Sequence, residues 1–142
     1  RKVKLYDITY EVDNEKYRGL FSFALITNAN RVAGINNFYK DIKLDDNKFE
    51  VLLCNITKLK DIVKTLYFFA LYDASKIPGF YFYQTDNIKI KFNSPLKKPL
   101  CIDGESFDDM SGSYNIKIDH DVYVLMPSKN VNNLFVNDKK EL

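Results

Sequence analysis

The stretch Val3-Lys4-Leu5-Tyr6-Asp7-Ile8-Thr9-Tyr10-Glu11-Val12 decides how this chain is read. Tyr6, Ile8, Tyr10 and Val12 alternate with Asp7, Thr9 and Glu11, so every second side chain is apolar. A period of two places one set on each face of a strand, with the apolar set against a core and the polar set in water. Asp13-Asn14 then supplies turn chemistry, because short polar side chains bond their own backbone and tolerate left-handed angles. Tyr17 to Thr27 continues as a longer strand, apolar on both faces near Leu20 to Ile26. Together they predict a hairpin.

Further along, the same period recurs. Phe49 to Cys54, Phe80 to Gln84, Ile88 to Phe92, Leu100 to Asp103, Tyr114 to Asp119 and Val122 to Met126 all read as strands. Asn28 to Asn47 reads as a long loop rich in Asn, Asp, Lys and Gly, a length that is uncommon unless the loop binds something or is disordered. One segment carries a helical stripe: Leu59, Ile62, Val63, Leu66, Phe69 and Ala70. Asn55 or Thr57 can cap its start, and Pro78-Gly79 lies beyond its end. Short strands at this spacing, about eight or more with one helix, predict a mainly β fold, a sandwich or barrel. The 142 residues make one domain. Its body is expected over residues 1–127, with an Asn- and Lys-rich tail from Ser128 to Leu142.

Composition narrows the function. Aromatics are 15% of the chain, with 10 Tyr and 11 Phe, which favours strands. A net charge of +2 gives no basic face for nucleic acid. Cys54 and Cys101 each sit in an apolar run and read as buried thiols. The lone His120 cannot complete a zinc site with them. That usage fits a reducing cytoplasm. No secretory signal and no spanning apolar stretch is visible. The chain begins at Arg1 and enters a strand at once, which suggests a domain cut from a longer protein.

Three places can carry chemistry. Asp103-Gly104-Glu105 follows a short apolar strand, and glycine permits a sharp turn that presents two carboxylates at a strand end. A carboxylate so held can accept a proton from an attacking hydroxyl, though a solvated turn has the same composition. Lys43-Leu44-Asp45-Asp46-Asn47-Lys48 offers carboxylate and carbonyl oxygens to a hard cation, and is also ordinary turn chemistry. The aromatic runs Tyr67-Phe68-Phe69 with Tyr72, and Phe80 to Tyr83, can line an acyl-chain pocket, touch a membrane surface or, as the simpler reading, fill a core.

In order, these pieces resemble the carboxy-terminal domain of the soluble bacterial diacylglycerol-kinase-like lipid kinases, relatives of sphingosine and NAD kinases. The resemblance rests on Ile26 to Gly34, on Lys43 to Lys48 before Phe49-Glu50-Val51, on the helix, and on Cys101-Ile102-Asp103-Gly104-Glu105. It runs from Asp7 to Pro127. It implies a two-layer β-sandwich packed on a separate amino-terminal nucleotide-binding domain, and phosphoryl transfer from ATP to the hydroxyl of diacylglycerol or a similar lipid. By resemblance, Glu105 is the base, Asp103 stands beside it, and Mg²⁺ is held by the Lys43 and Lys48 carbonyls and the Asp46 side chain. The resemblance further implies a cytoplasmic protein touching the inner face of the membrane peripherally, and leaves a homodimer open. Asn47 stands where the family shows Gly, and Asn tolerates the left-handed turn. The Gly-rich stretch expected near Gly34 is thinned to Ala33-Gly34-Ile35, and the family's Gly-Gly-Asp-Gly-Thr phosphate loop does not occur in these residues. The alternative from another class is a catalytically silent β-sandwich that binds lipid or protein.

Overall fold

A computed structural model of the chain describes residues 3–29, 31–32, 35–36, 39, 42–58, 60–61, 65 and 77–120. Tyr6–Val12 (β1) and Glu15–Phe21 (β2) form the expected hairpin, turning at Asp13 and Asn14, whose φ values are 52° and 64°. With Asn87–Phe92 (β8) and Ser113–Lys117 (β11) they make a four-stranded antiparallel sheet ordered β11-β8-β1-β2. Phe23–Thr27 (β3), Phe49–Cys54 (β6) and Phe80–Thr85 (β7) make a second sheet ordered β3-β6-β7. Two short pairs complete the set. They are Arg31–Val32 (β4) with Ile35–Asn36 (β5), and Leu100–Ile102 (β9) with Glu105–Phe107 (β10). The fold is mainly β and forms a sandwich, as the alternation predicts.

The core lies between the two larger sheets. Ile8, Tyr10, Val12, Phe21, Ile88 and Ile90 come from the first, and Phe49, Val51 and Leu53 from the second. The hydroxyls of buried Tyr10 and half-buried Tyr83 share a hydrogen bond of 2.8 Å, so each has a partner. On the outward face of the first sheet Arg18 pairs with Asp7 and Lys89 with Glu11, each at 2.6 Å. Hydrogen bonds from Arg18, then from Asn93, pull the Asp7 carboxyl down to about 2.

Several expectations are corrected. Tyr17 to Thr27 is not one strand, because the chain passes from the first sheet to the second at Ser22. The Ser22 N–H and hydroxyl both bond the Cys54 carbonyl, at 2.8 and 3.1 Å, and the hydroxyl also accepts the Ile56 N–H. A serine satisfies the backbone groups that a sheet change frees. Asp86 makes the reverse passage from β7 to β8. There the buried Thr85 hydroxyl bonds the Asn87 carbonyl and Asp13 Oδ1. The expected loop Asn28 to Asn47 contains the β4–β5 pair. Cys54 is buried, but Cys101 is exposed; among the described residues its strand β9 pairs with β10 alone and joins neither large sheet.

Of the expected helix, Lys60, Asp61 and Thr65 are helical, and the Thr65 hydroxyl bonds the Asp61 carbonyl at 2.7 Å. Its whole apolar stripe, Leu59, Ile62, Val63, Leu66, Phe69 and Ala70, lies outside the described residues. So do Tyr67 to Phe69, Tyr72, the strand Val122 to Met126 and the tail. Among the described residues no helix is long and apolar enough to cross a membrane.

Leu53 is fully buried and Leu20 is 51% exposed, so they test this core. Leu53→Ala should lower the unfolding free energy in urea by about 2–5 kcal/mol. Leu20→Ala should change it by less than about 0.5 kcal/mol. Asp7→Asn should unfold more easily than wild type at neutral pH. The Asp7 pKa falls on folding, so that gap is complete above about pH 4, the ordinary carboxylate value, and closes as pH falls toward 2.

Candidate functional site

Asp103 and Gly104 form the tip of the β9–β10 hairpin, with φ values of 50° and 90°. Two successive left-handed residues make the tight turn that Asp-Gly favours, since glycine pays no Cβ penalty and aspartate pays little. Opposed residues of an antiparallel pair share a face. Ile102 opposes Glu105 and Leu100 opposes Phe107, while Cys101 opposes Ser106. Glu105 therefore stands on the apolar face of the hairpin. Ile102 and Phe107 on that face are 50% and 41% exposed, and Glu105 and Asp103 are exposed at its tip. The carboxylate has an accessible position with uncovered apolar side chains beside it. The Ser106 hydroxyl donates to Asp108 Oδ1 at 3.2 Å.

The candidate cation loop lies elsewhere. Ile42 is buried, Lys43 and Asp46 are half-buried, and Lys48 is exposed just ahead of β6. Asp46 Oδ1 accepts the Lys48 N–H at 3.1 Å, so the structure brings these two residues into one turn. Asn47 takes a φ of 59°, the left-handed angle a glycine would adopt at no cost. Among the described residues no three His, Cys, Asp or Glu side chains gather into a metal site. A cation here would depend on main-chain carbonyls beside Asp46, the mixed oxygen set that hard cations accept.

Glu50 is the residue that sequence reasoning missed. It is fully buried on the face of β6 that also carries Leu52. Its cross-strand neighbours are Thr27 on β3 and Gln84 on β7, giving a polar row across the second sheet. Glu50 Oε1 accepts from Gln84 Nε2 at 3.2 Å. Burial pushes the Glu50 carboxyl up to about 7; the Gln84 bond opposes this and the Asp46 charge adds to it. Burial, and then the Glu50 charge, raise the Tyr39 hydroxyl as well. The signal was a single carboxylate within Phe49-Glu50-Val51-Leu52-Leu53-Cys54, a strand with no solvent face.

No protein-family model matches the chain, and no curated protein does. Solved structures do. Two structures of a "putative diacylglycerol kinase" from Bacillus anthracis str. Sterne align over 82% of this chain at 17% identity, with TM-scores of 0.62 and 0.59. A structure described as a diacylglycerol kinase from the same organism aligns over 66% of this chain at 14% identity, with a TM-score of 0.51. The alignments cover 38%, 36% and 34% of those chains, so this chain spans little more than a third of their length. At these identities the likeness establishes a shared fold.

The left-handed positions give a test of the loop geometry. Asn47→Gly should leave the melting temperature unchanged or raise it. Asn47→Val should cost about 1–2 kcal/mol in denaturant unfolding.

Proposed function

We propose that this chain is the β-sandwich substrate domain of a two-domain lipid kinase, and that Glu105 is its general base. The observation that carries the reading is the Asp103-Gly104 turn. It sets an accessible Glu105 on one face with Ile102 and Phe107, in a fold shared with proteins described as diacylglycerol kinases.

In this reading the substrate is diacylglycerol or a related lipid with a free hydroxyl next to its hydrocarbon. Glu105 takes the hydroxyl proton as that oxygen attacks the γ-phosphorus of ATP. The new P–O bond forms while the bond to the β-phosphate bridging oxygen breaks, and ADP leaves with that electron pair. Asp103, at the hairpin tip, helps fix the direction of approach. ATP is gripped by an amino-terminal nucleotide-binding domain, whose phosphate loop these residues do not contain. Residues 1–142 alone are therefore expected to transfer no phosphoryl group. The Lys43 and Lys48 carbonyls and the Asp46 carboxylate would hold Mg²⁺, which stiffens the loop ahead of β6. The lipid lies in a bilayer, so the protein works from the cytoplasm at the inner membrane face.

The test is phosphoryl transfer from ATP to diacylglycerol in mixed micelles by the protein that joins this domain to its nucleotide-binding partner. Glu105→Gln should lower turnover by about 10²–10⁴-fold with an unchanged melting temperature. A catalytically silent binding domain would be indifferent to that substitution, and full activity in Glu105→Gln would sink the assignment.

A further inference from the structure

The apolar face of the β9–β10 hairpin has a definite length and a definite end. Glu105 and Ile102 are the opposed pair beside the turn, and Phe107 and Leu100 are the next pair back on the same face. At the rise of a strand those two pairs lie about 7 Å apart. Ile102 and Phe107 are 50% and 41% exposed, and Leu100 is half-buried at the back. Behind Phe107 the apolar pattern stops, because β10 ends there. The Asp108 carboxylate is drawn to Ser106 on the opposite face, and the Asp109 carboxylate accepts the Ser111 N–H at 2.8 Å. The result is a short strip with a carboxylate at its front and a polar turn at its back.

Its size limits what can lie on it. Paired strands stand about 5 Å apart, so the strip is half as wide as a helix with its side chains. A stable protein interface takes about 800 Å² from each partner, far more than such a strip offers. A single hydrocarbon chain fits it, since about 7 Å is the length of roughly five or six carbons at bonds of about 1.5 Å.

We propose that Leu100 and Phe107 set the acyl-chain preference of the site. One chain of the lipid runs back from Glu105 along Ile102 to the Leu100–Phe107 pair, and carbons beyond about the sixth pass off the strip. The proposal rests on the reading of Glu105 as the base, and adds to it the direction and length of the bound chain. Each methylene that the strip covers should tighten binding by up to about fourfold, and each one past its end by nothing.

The test is kcat/KM of the two-domain protein on monomeric diacylglycerols of increasing chain length. Wild type should gain about two- to fourfold per carbon up to about the sixth carbon and then level off. In Phe107→Ser the gain should stop about three carbons earlier, because the back of the strip is lost. Leu100→Ser serves as a second variant with the same expected shift. Phe23→Ser removes a phenylalanine that is 53% exposed on β3, outside the hairpin, and should keep the wild-type profile. An unshifted profile in both hairpin variants would overturn the proposal and leave the Glu105 assignment to its own test. An unshifted profile with a raised KM for ATP would also overturn it, and would make the strip a seat for the nucleotide-binding domain. A shifted profile alongside full activity in Glu105→Gln would keep the strip and remove the base. No turnover of any diacylglycerol by wild type would take down both readings.

Discussion

Strand β6 has no face turned to water. All six side chains from Phe49 to Cys54 are buried, with Val51, Leu52 and Leu53 at 0% exposure. A strand in that position must be covered on both sides, and the rest of the described structure follows from this demand. Phe49, Val51 and Leu53 meet the four-stranded sheet on one side, and Leu52 meets Tyr39 and Ile42 on the other. The flanking strands β3 and β7 then have to connect to the opposite sheet, and each does so through a kink of one residue. Ser22 holds its kink by bonding the end of β6 itself. The sandwich is thus closed around its most buried strand, and the loop and hairpin that carry the candidate chemistry hang from that frame.

What could be read in the sequence followed from side-chain period. Tyr6–Val12 and Asn87–Phe92 alternate clearly because each has one wet face, and the unbroken apolar run of Phe49–Cys54 marks a doubly covered strand. The sheet change at Ser22 was hidden, because the apolar pattern continues through it while the backbone changes partner. Strand β10 was hidden for the opposite reason: Glu105–Phe107 is exposed throughout, so burial imposes no period on it. Cys101 was misread because, among the described residues, its apolar neighbours belong to a two-stranded hairpin that joins neither large sheet. Turn chemistry was more legible. Asp13, Asn14, Asn47, Asp103 and Gly104 all take the left-handed angles that their residue types favour.

The two candidate sites divide along the same line between inside and outside. Glu105 stands beside the tip of an exposed hairpin, where its carboxylate is accessible and the apolar Ile102 and Phe107 remain uncovered. Glu50 occupies the interior, where burial disfavours its charged form and pushes the carboxyl up. The acidic residues of the 43–48 loop lie at the boundary, half-buried at Asp46 and exposed at Asp45.

The central claim is that a lipid hydroxyl meets Glu105 on the apolar face of the β9–β10 hairpin. The most direct measurement is an NMR titration of the isotopically labelled chain with a short-chain, monomeric diacylglycerol. The account predicts shifts concentrated in the side chains of Leu100, Ile102, Glu105 and Phe107, with the outward face of the four-stranded sheet, Asp7 to Glu11, unmoved. Shifts centred on that sheet instead, or a hairpin that stays unchanged at saturating lipid, would contradict it.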